Sequence, residues 1–443
     1  MDALMLSRIQ FGLTIGFHYI FPPLTIGLAG VLVIIGWMRL SRDEPLYDRM
    51  MRFWVKLFAI NFAIGVATGI VMEFEFGTNW SNYSKFVGDI FGAPLAAEAI
   101  FSFFLESSFL AILVYGWDKV SKRVHFISAC MVALGSLLSA FWIIVANSWQ
   151  QTPAGFKLAT DASGKVVRAE LTDFMAAVFN PSTMPRYVHA LAGAFTVAAF
   201  VVGGISAWYL LKGIHLDFAK KSLAIAIIIG VVATAGSAVV GDWHTRQVAR
   251  TQPEKFAAME GLFKTQTGAP FLILGYPLPD LGINKLLSVM VYFDPNAEVK
   301  GLDAFPPEDL PPVMFTAMSF HAMIWPGVFC LLFMVYGAYL LWRGKLYGST
   351  LYLKTLFWLI PLPYLLNEIG WFTAEIGRQP WAVYHLLRTA DGYSPTVPGG
   401  QILFTIVLFS TIYIALFALG LFLVRRLVLA GPDAAPVRKG GKA

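Results

Sequence analysis

The chain has 443 residues, is 57% apolar and only 14% charged, and its mean hydropathy is +0.65. That composition excludes a soluble enzyme and describes an all-α integral membrane protein. The net charge of +6 does not indicate nucleic acid, because the basic residues fall in loops, as membrane topology requires.

Nine stretches are long enough to cross a bilayer: 9–38, 53–73, 92–116, 125–147, 186–211, 221–241, 313–342, 354–375 and 400–424. Within the first, Phe21-Pro22-Pro23 should kink the helix. The N-terminus is expected to carry no cleavable signal, since this first run is too long and contains a histidine. Basic residues follow every second span: Arg39, Arg42, Arg49 and Arg52; Lys119, Lys122 and Arg123; Lys212, Lys220 and Lys221; Arg343 and Lys345. The tail after the last span adds Arg425, Arg426, Arg438, Lys439 and Lys442. That side should be cytoplasmic, with the N-terminus outside and the C-terminus inside. The segments 148–185 and 242–312 are then external, and residues 1–443 read as one transmembrane unit carrying the 242–312 loop. No internal repeat is visible, so an inverted-repeat carrier gains no support.

The residues inside the spans that stand out as candidates are His18; Glu98, Ser102 and Glu106; His189; His321 and Met323; Asn367, Glu368 and Glu375. Ionisable groups at membrane depth are costly and mark functional sites. By helical rise, His18, His189, Met323, Glu98 and Glu375 all fall in the outer half of the membrane. Imidazole and thioether are the usual axial ligands of haem iron. Zinc would want thiolates or several close histidines, and Cys130 and Cys330 are isolated. A Cys-x-x-Cys-His attachment motif is absent. The stretch Gly370–Trp381 ends the eighth span with Glu375 and Arg378 three residues apart, between Trp371 and Trp381. Trp371, Glu375 and Arg378 are therefore candidates either for a site or for a Trp/Arg anchor at the bilayer interface. Glu98, Ser102 and Glu106, spaced by four, form a stripe on one helix face and suggest a proton relay from the inside.

Several segments carry a family resemblance: Arg8–Gly12 with His18-Tyr19, Met72–Phe74 with Phe76–Ser81, Val145–Asn147 with Trp149-Gln150, Gly241-Asp242, and Gly377–Trp381. On these the chain resembles subunit I of the cytochrome bd-type quinol oxidases, including their cyanide-insensitive branch. The resemblance implies quinol oxidation coupled to reduction of O2 to water, without copper, in the bacterial cytoplasmic (inner) membrane. It also implies a low-spin haem b, a high-spin haem b, and a haem d or a further haem b in its place. His189 and Met323 match the axial pair of the low-spin haem. His18 and Glu375 match the ligands of the other two, in either order. Glu98 matches a carboxylate beside them, and Glu106 the proton-path carboxylate. Lys255 and Glu260 match quinol-linked residues of the external loop. Subunit II, and with it a small single-helix subunit, would be partners, with membrane lipid around them. Two positions depart from the pattern: the external loop is short, and His321 stands where the family often has arginine, which makes it a rival ligand to Met323. Two other functions compete: a proton-coupled carrier, which would be colourless, and a non-catalytic haem anchor, which would not respond to CO.

Overall fold

The structure is a computed structural model and describes residues 2–433, except 43, 279 and 280. Arg438, Lys439 and Lys442 of the basic tail lie outside the described residues. The first span is two helices, α1 (Ala3–Tyr19) and α2 (Phe21–Ser41). Pro22 and Pro23 offer no N–H to the carbonyls of α1, so the chain breaks where the kink was expected and His18 lies in the last turn of α1. α3 (Pro45–Thr78) follows. The third span is α4 (Ser81–Ala97) and α5 (Phe104–Tyr115), joined without a gap by a π-helical stretch, Glu98–Phe103. α6 (Lys122–Gln151) leads to an external hairpin, β1 (Phe156–Thr160) with β2 (Val166–Leu171), and a short α7 (Phe174–Val178). α8 (Thr183–Lys212) and α9 (Leu216–Thr251) form the central pair, with α2 packed against α8, α3 and α6. Small residues permit that closeness: a Cβ on Gly27 would lie 2.4 Å from the Ala194 carbonyl oxygen of α8. Leu28, Leu32, Ile35, Trp54, Phe58 and Phe218 fill the core between these helices.

α9 runs ten residues past the expected end of its span, so 242–251 are helical rather than loop. The rest of the external segment is α10 (Pro253–Glu260), β3 (Gln266–Thr267), β4 (Phe271–Leu272), β5 (Gly282–Ile283), α11 (Leu286–Tyr292) and β6 (Glu298–Val299). β4 pairs with β5 and β3 with β6. α12 (Val313–Trp342) is continuous. The expected span 354–375 is instead two shorter helices, α13 (Thr350–Trp358) and α14 (Leu362–Ile376), because Pro361 and Pro363 each remove a helical N–H. β7 (Trp381–Val383), β8 (Leu387–Arg388) and α15 (Thr389–Gly392) cap its far end before α16 (Gly399–Ala430). Among the described residues, eight helices (the α1–α2 and α4–α5 pairs each counted as one) are long and apolar enough to cross a membrane.

The basic loops gather at one end. Asp433 accepts from Arg49 and pairs with His215 at 2.7 Å, Arg52 lies 3.6 Å from Asp118, and the Lys220 ammonium sits 5.8 Å from the Tyr347 ring. The hairpins and α10 occupy the other end, tied by Arg388 to Asp309 and His385 to Glu254, each at 2.7 Å.

Candidate functional site

A single cavity of about 1420 Å³ runs between the helices, and His18, Glu98, Glu106, His189, Lys255, Glu260, Met323, Trp371, Glu375 and Arg378 all line it. Its volume exceeds the roughly 300–1,000 Å³ of a pocket for one small molecule. Of the sequence candidates, Ser102 is fully buried, has no hydrogen-bond partner and does not line the cavity.

The three neutral candidate ligands are each set against a glycine. A Cβ on Gly69 would lie 3.1 Å from the His18 ring, one on Gly241 3.2 Å from the His189 ring, and one on Gly370 2.9 Å from the Met323 sulfur. His18 Nδ1 lies 3.0 Å from Thr68 Oγ1, whose own hydrogen goes back to the Gly65 or Ile64 carbonyl. Thr68 therefore accepts the Nδ1 proton and leaves the Nε2 lone pair free, the arrangement of a metal-ligating histidine with a fixed tautomer. His189 Nδ1 is buried with no partner, and its ring stands 6.0 Å from that of His244 on α9.

Glu375 sits in a cage of donors. Asn147 Nδ2 donates to Oε1 at 3.1 Å, Arg378 donates to Oε2, and the Arg186 guanidinium lies 3.8 Å away while donating to Asn147. Two buried cations face one anion, and Arg378 Nε has no partner, so the pocket suits a further group bearing carboxylates. Haem iron with its propionates fits this donor set: imidazoles with a free nitrogen, a thioether, a carboxylate with spare lone pairs and surplus guanidinium.

Glu98 opens the π-helical stretch, a form that tends to occur at functional sites. Ser139 Oγ donates to it at 2.7 Å, and Ser136 Oγ donates to Glu106 Oε1. The hydroxyls that reach the two carboxylates thus come from α6. Ser102, expected between them, reaches neither.

Lys255 and Glu260 are on one helix, as expected, but five positions apart they point differently. Lys255 Nζ donates to Gln151 Oε1 at 2.9 Å and to the Ala374 carbonyl at 2.8 Å, next to Glu375. Burial holds its amine well below the usual lysine range; Arg186 and Arg378 add to this, and Glu375 opposes it. Glu260 is 2% exposed with Oε2 unpartnered, and burial pushes its carboxyl up to about 8. His321 does not line the cavity: its ring nitrogens each lie 3.0 Å from a backbone carbonyl oxygen, Ala317 and Leu272. Sequence reasoning missed Arg186, Gln151, Thr68, Ser136, Ser139 and His244. Arg186 alone carried a signal, a buried cation one turn before His189 at the mouth of a span.

A helical membrane protein whose imidazole, thioether and carboxylate donors share one cavity has the donor set that a haem-binding oxidoreductase needs. The family description "Cytochrome bd terminal oxidase subunit I" matches residues 6–432. The chain is 39% identical over 451 residues to cytochrome bd ubiquinol oxidase subunit 1 of Bacillus subtilis (strain 168), covering 98% of this chain and 95% of that protein. It is 35% identical to cytochrome bd-II ubiquinol oxidase subunit 1 of Escherichia coli (strain K12), covering 98% of each. Its fold is similar to that of bd oxidase from Geobacillus thermodenitrificans, with TM-score 0.87, 31% identity, and coverage of 96% of this chain and 98% of that one. The chain belongs to the cytochrome bd terminal oxidase subunit I family: it is a multi-pass membrane subunit of a haem-dependent terminal quinol oxidase.

Proposed function

We propose that this subunit oxidises quinol near the outer face of the bacterial cytoplasmic membrane and reduces O2 to water with protons from the cytoplasm, without copper. What carries the reading is the one cavity that joins the His, Met and Glu donors to the Lys255–Glu260 segment. His189 and Met323 hold the low-spin haem b. His18 and Glu375 hold a high-spin haem b and a haem d, or a further haem b, with Glu98 beside them. Bound haem iron supplies single-electron transfer and an O2 site.

The protein's own part is to bind, orient and move protons. Thr68 holds the His18 ring, and Asn147, Arg186 and Arg378 hold Glu375. The unpartnered Glu260 oxygen faces the cavity and takes a proton from quinol. Lys255 fixes α10 to the end of α14, beside Trp371 and Glu375. Glu106 with Ser136, then Glu98 with Ser139, carry protons from the cytoplasmic side outward to the oxygen site.

The gathered basic ends support a cytoplasmic C-terminus and an external N-terminus, given nine crossings with α13 and α14 together as one. The segment 242–312, whose first ten residues complete α9, is then the external quinol-binding segment. Relatives named as subunit 1 support a subunit II partner; a small single-helix subunit beside it rests on the family resemblance alone. Two relatives are named for ubiquinol and a third, 31% identical, is a putative menaquinol oxidase subunit of Bacillus subtilis, so the substrate is a membrane quinol of one of these kinds. The test is the purified complex: quinol-dependent O2 uptake with a CO-shifted reduced spectrum is expected. A colourless protein, or haem that ignores CO and O2, would contradict it.

A further inference from the structure

His321 has turned away from the cavity, and what it holds there is specific. Its ring is 4% exposed, with Nε2 3.0 Å from the Leu272 carbonyl oxygen. Four residues on, Trp325 Nε1 donates to the Ile273 carbonyl at 2.5 Å. Residues four apart share a helix face, so α12 offers two side-chain donors to two consecutive carbonyls of the external loop. The seat is tight: Gly275 has φ +70°, and a Cβ there would come within 2.4 Å of the His321 ring. Unpaired carbonyls at the membrane boundary are costly, so these donors answer a need of the backbone.

The segment they hold bears on the site. β4 and β5 pair antiparallel, and the pairing is extended by Ile273 N donating to the Leu281 carbonyl at 2.7 Å. Phe271 of β4 packs with Met259, Phe320 and Met323, and lines the cavity near Glu260. Residues 321 and 323 lie two apart, about 200° around the helix, so α12 turns Met323 inward while His321 grips the loop.

We propose that His321 and Trp325 are positioning residues that dock the paired strands β4 and β5 on α12 and thereby shape the wall past which quinol reaches Glu260. This rests on the reading of 242–312 as the quinol-binding loop. His321 then has no part in ligating iron, and its place in the chain is to set quinol access.

The test uses the purified complex, with hydrogen exchange across β4 and β5, quinol kinetics and reduced spectra read together on His321→Ala, His321→Gln and Trp325→Phe. His321→Ala is expected to speed exchange in the paired strands and raise the quinol KM by roughly tenfold, about what a net hydrogen bond supplies. Maximal turnover and the low-spin spectrum should not change. His321→Gln, whose amide can still donate to Leu272, should restore both exchange and KM. Trp325→Phe should act in the same direction as His321→Ala and carries the test if that variant does not assemble. Unchanged exchange, a changed low-spin spectrum, or faster exchange with normal KM would each overturn the proposal. Lys255→Ala separates the two readings: if it raises KM while the clamp variants do not, only the clamp fails; if neither raises KM, the quinol-loop reading fails as well.

Discussion

Replacing Glu375 by Ala separates ligation from charge balance. In the structure one carboxylate answers two guanidiniums, Arg186 and Arg378, each with a side chain 9% exposed. Removing it leaves two buried like charges and strips Asn147 of its acceptor. Breaking a buried pair by deleting one partner costs about 3–5 kcal/mol. Deleting Arg378 as well removes one of the stranded cations, so Glu375→Ala/Arg378→Ala should recover about 1–3 kcal/mol of that loss. Haem content should not follow stability. If Glu375 ligates iron, both variants lose one high-spin haem while the low-spin signal persists. The assay is chemical unfolding in detergent, followed by fluorescence, beside extraction and quantitation of haem. A full haem complement in Glu375→Ala, or its return in the double variant, would refute ligation and leave Glu375 a charge-balancing residue.

Thr68→Val keeps the shape but removes the acceptor 3.0 Å from His18 Nδ1. Loss of such an orienting partner costs about 10–100-fold in metal affinity, so one high-spin haem should wash out more readily while the low-spin haem stays; equal retention would contradict this. Glu106→Gln should slow O2 reduction by about 10²-fold or more while the low-spin haem still accepts electrons, and Glu106→Asp should retain part of the rate. Full-rate turnover with normal charge separation in vesicles would end the relay. Burial raises the Glu260 carboxyl to about 8, so the proton-accepting carboxylate exists above that pH. Quinol kcat/KM should climb as pH rises through about 8, and Glu260→Gln should abolish that limb. The same shift makes this residue's contribution to folding stability fall as pH climbs from its unfolded value, about 4.3, towards 8.

Much of the fold was legible because hydropathy and proline report membrane helices directly. The break at Pro22-Pro23 and the whole of α12 lie where periodicity and length put them. Pro361 and Pro363 also announced the break between α13 and α14, but the apolar run around them reads as one span. The histidines and carboxylates could be named because ionisable residues are rare at membrane depth, whereas Met323, one of several sulfur-bearing residues in its span, was marked by the family resemblance. Their partners could not. Serines of α6 serve carboxylates on another helix, and Thr68 serves a histidine 50 positions away; both pairings exist only once helices pack. That Gly69, Gly241 and Gly370 each lie against a donor is likewise visible only in the packed structure. His321 and Met323 are indistinguishable as ligands by spacing alone. The direction each side chain takes around α12 separates them.

The most direct test of the account is the low-spin iron in Met323→Leu, which keeps the volume and removes the sulfur. Magnetic circular dichroism of the oxidised complex, with a redox titration, reports that ligand. The account predicts loss of the thioether-ligated signal, a shift of that haem towards high spin and a lower midpoint potential. An unchanged spectrum and midpoint would contradict it and remove Met323 from the iron.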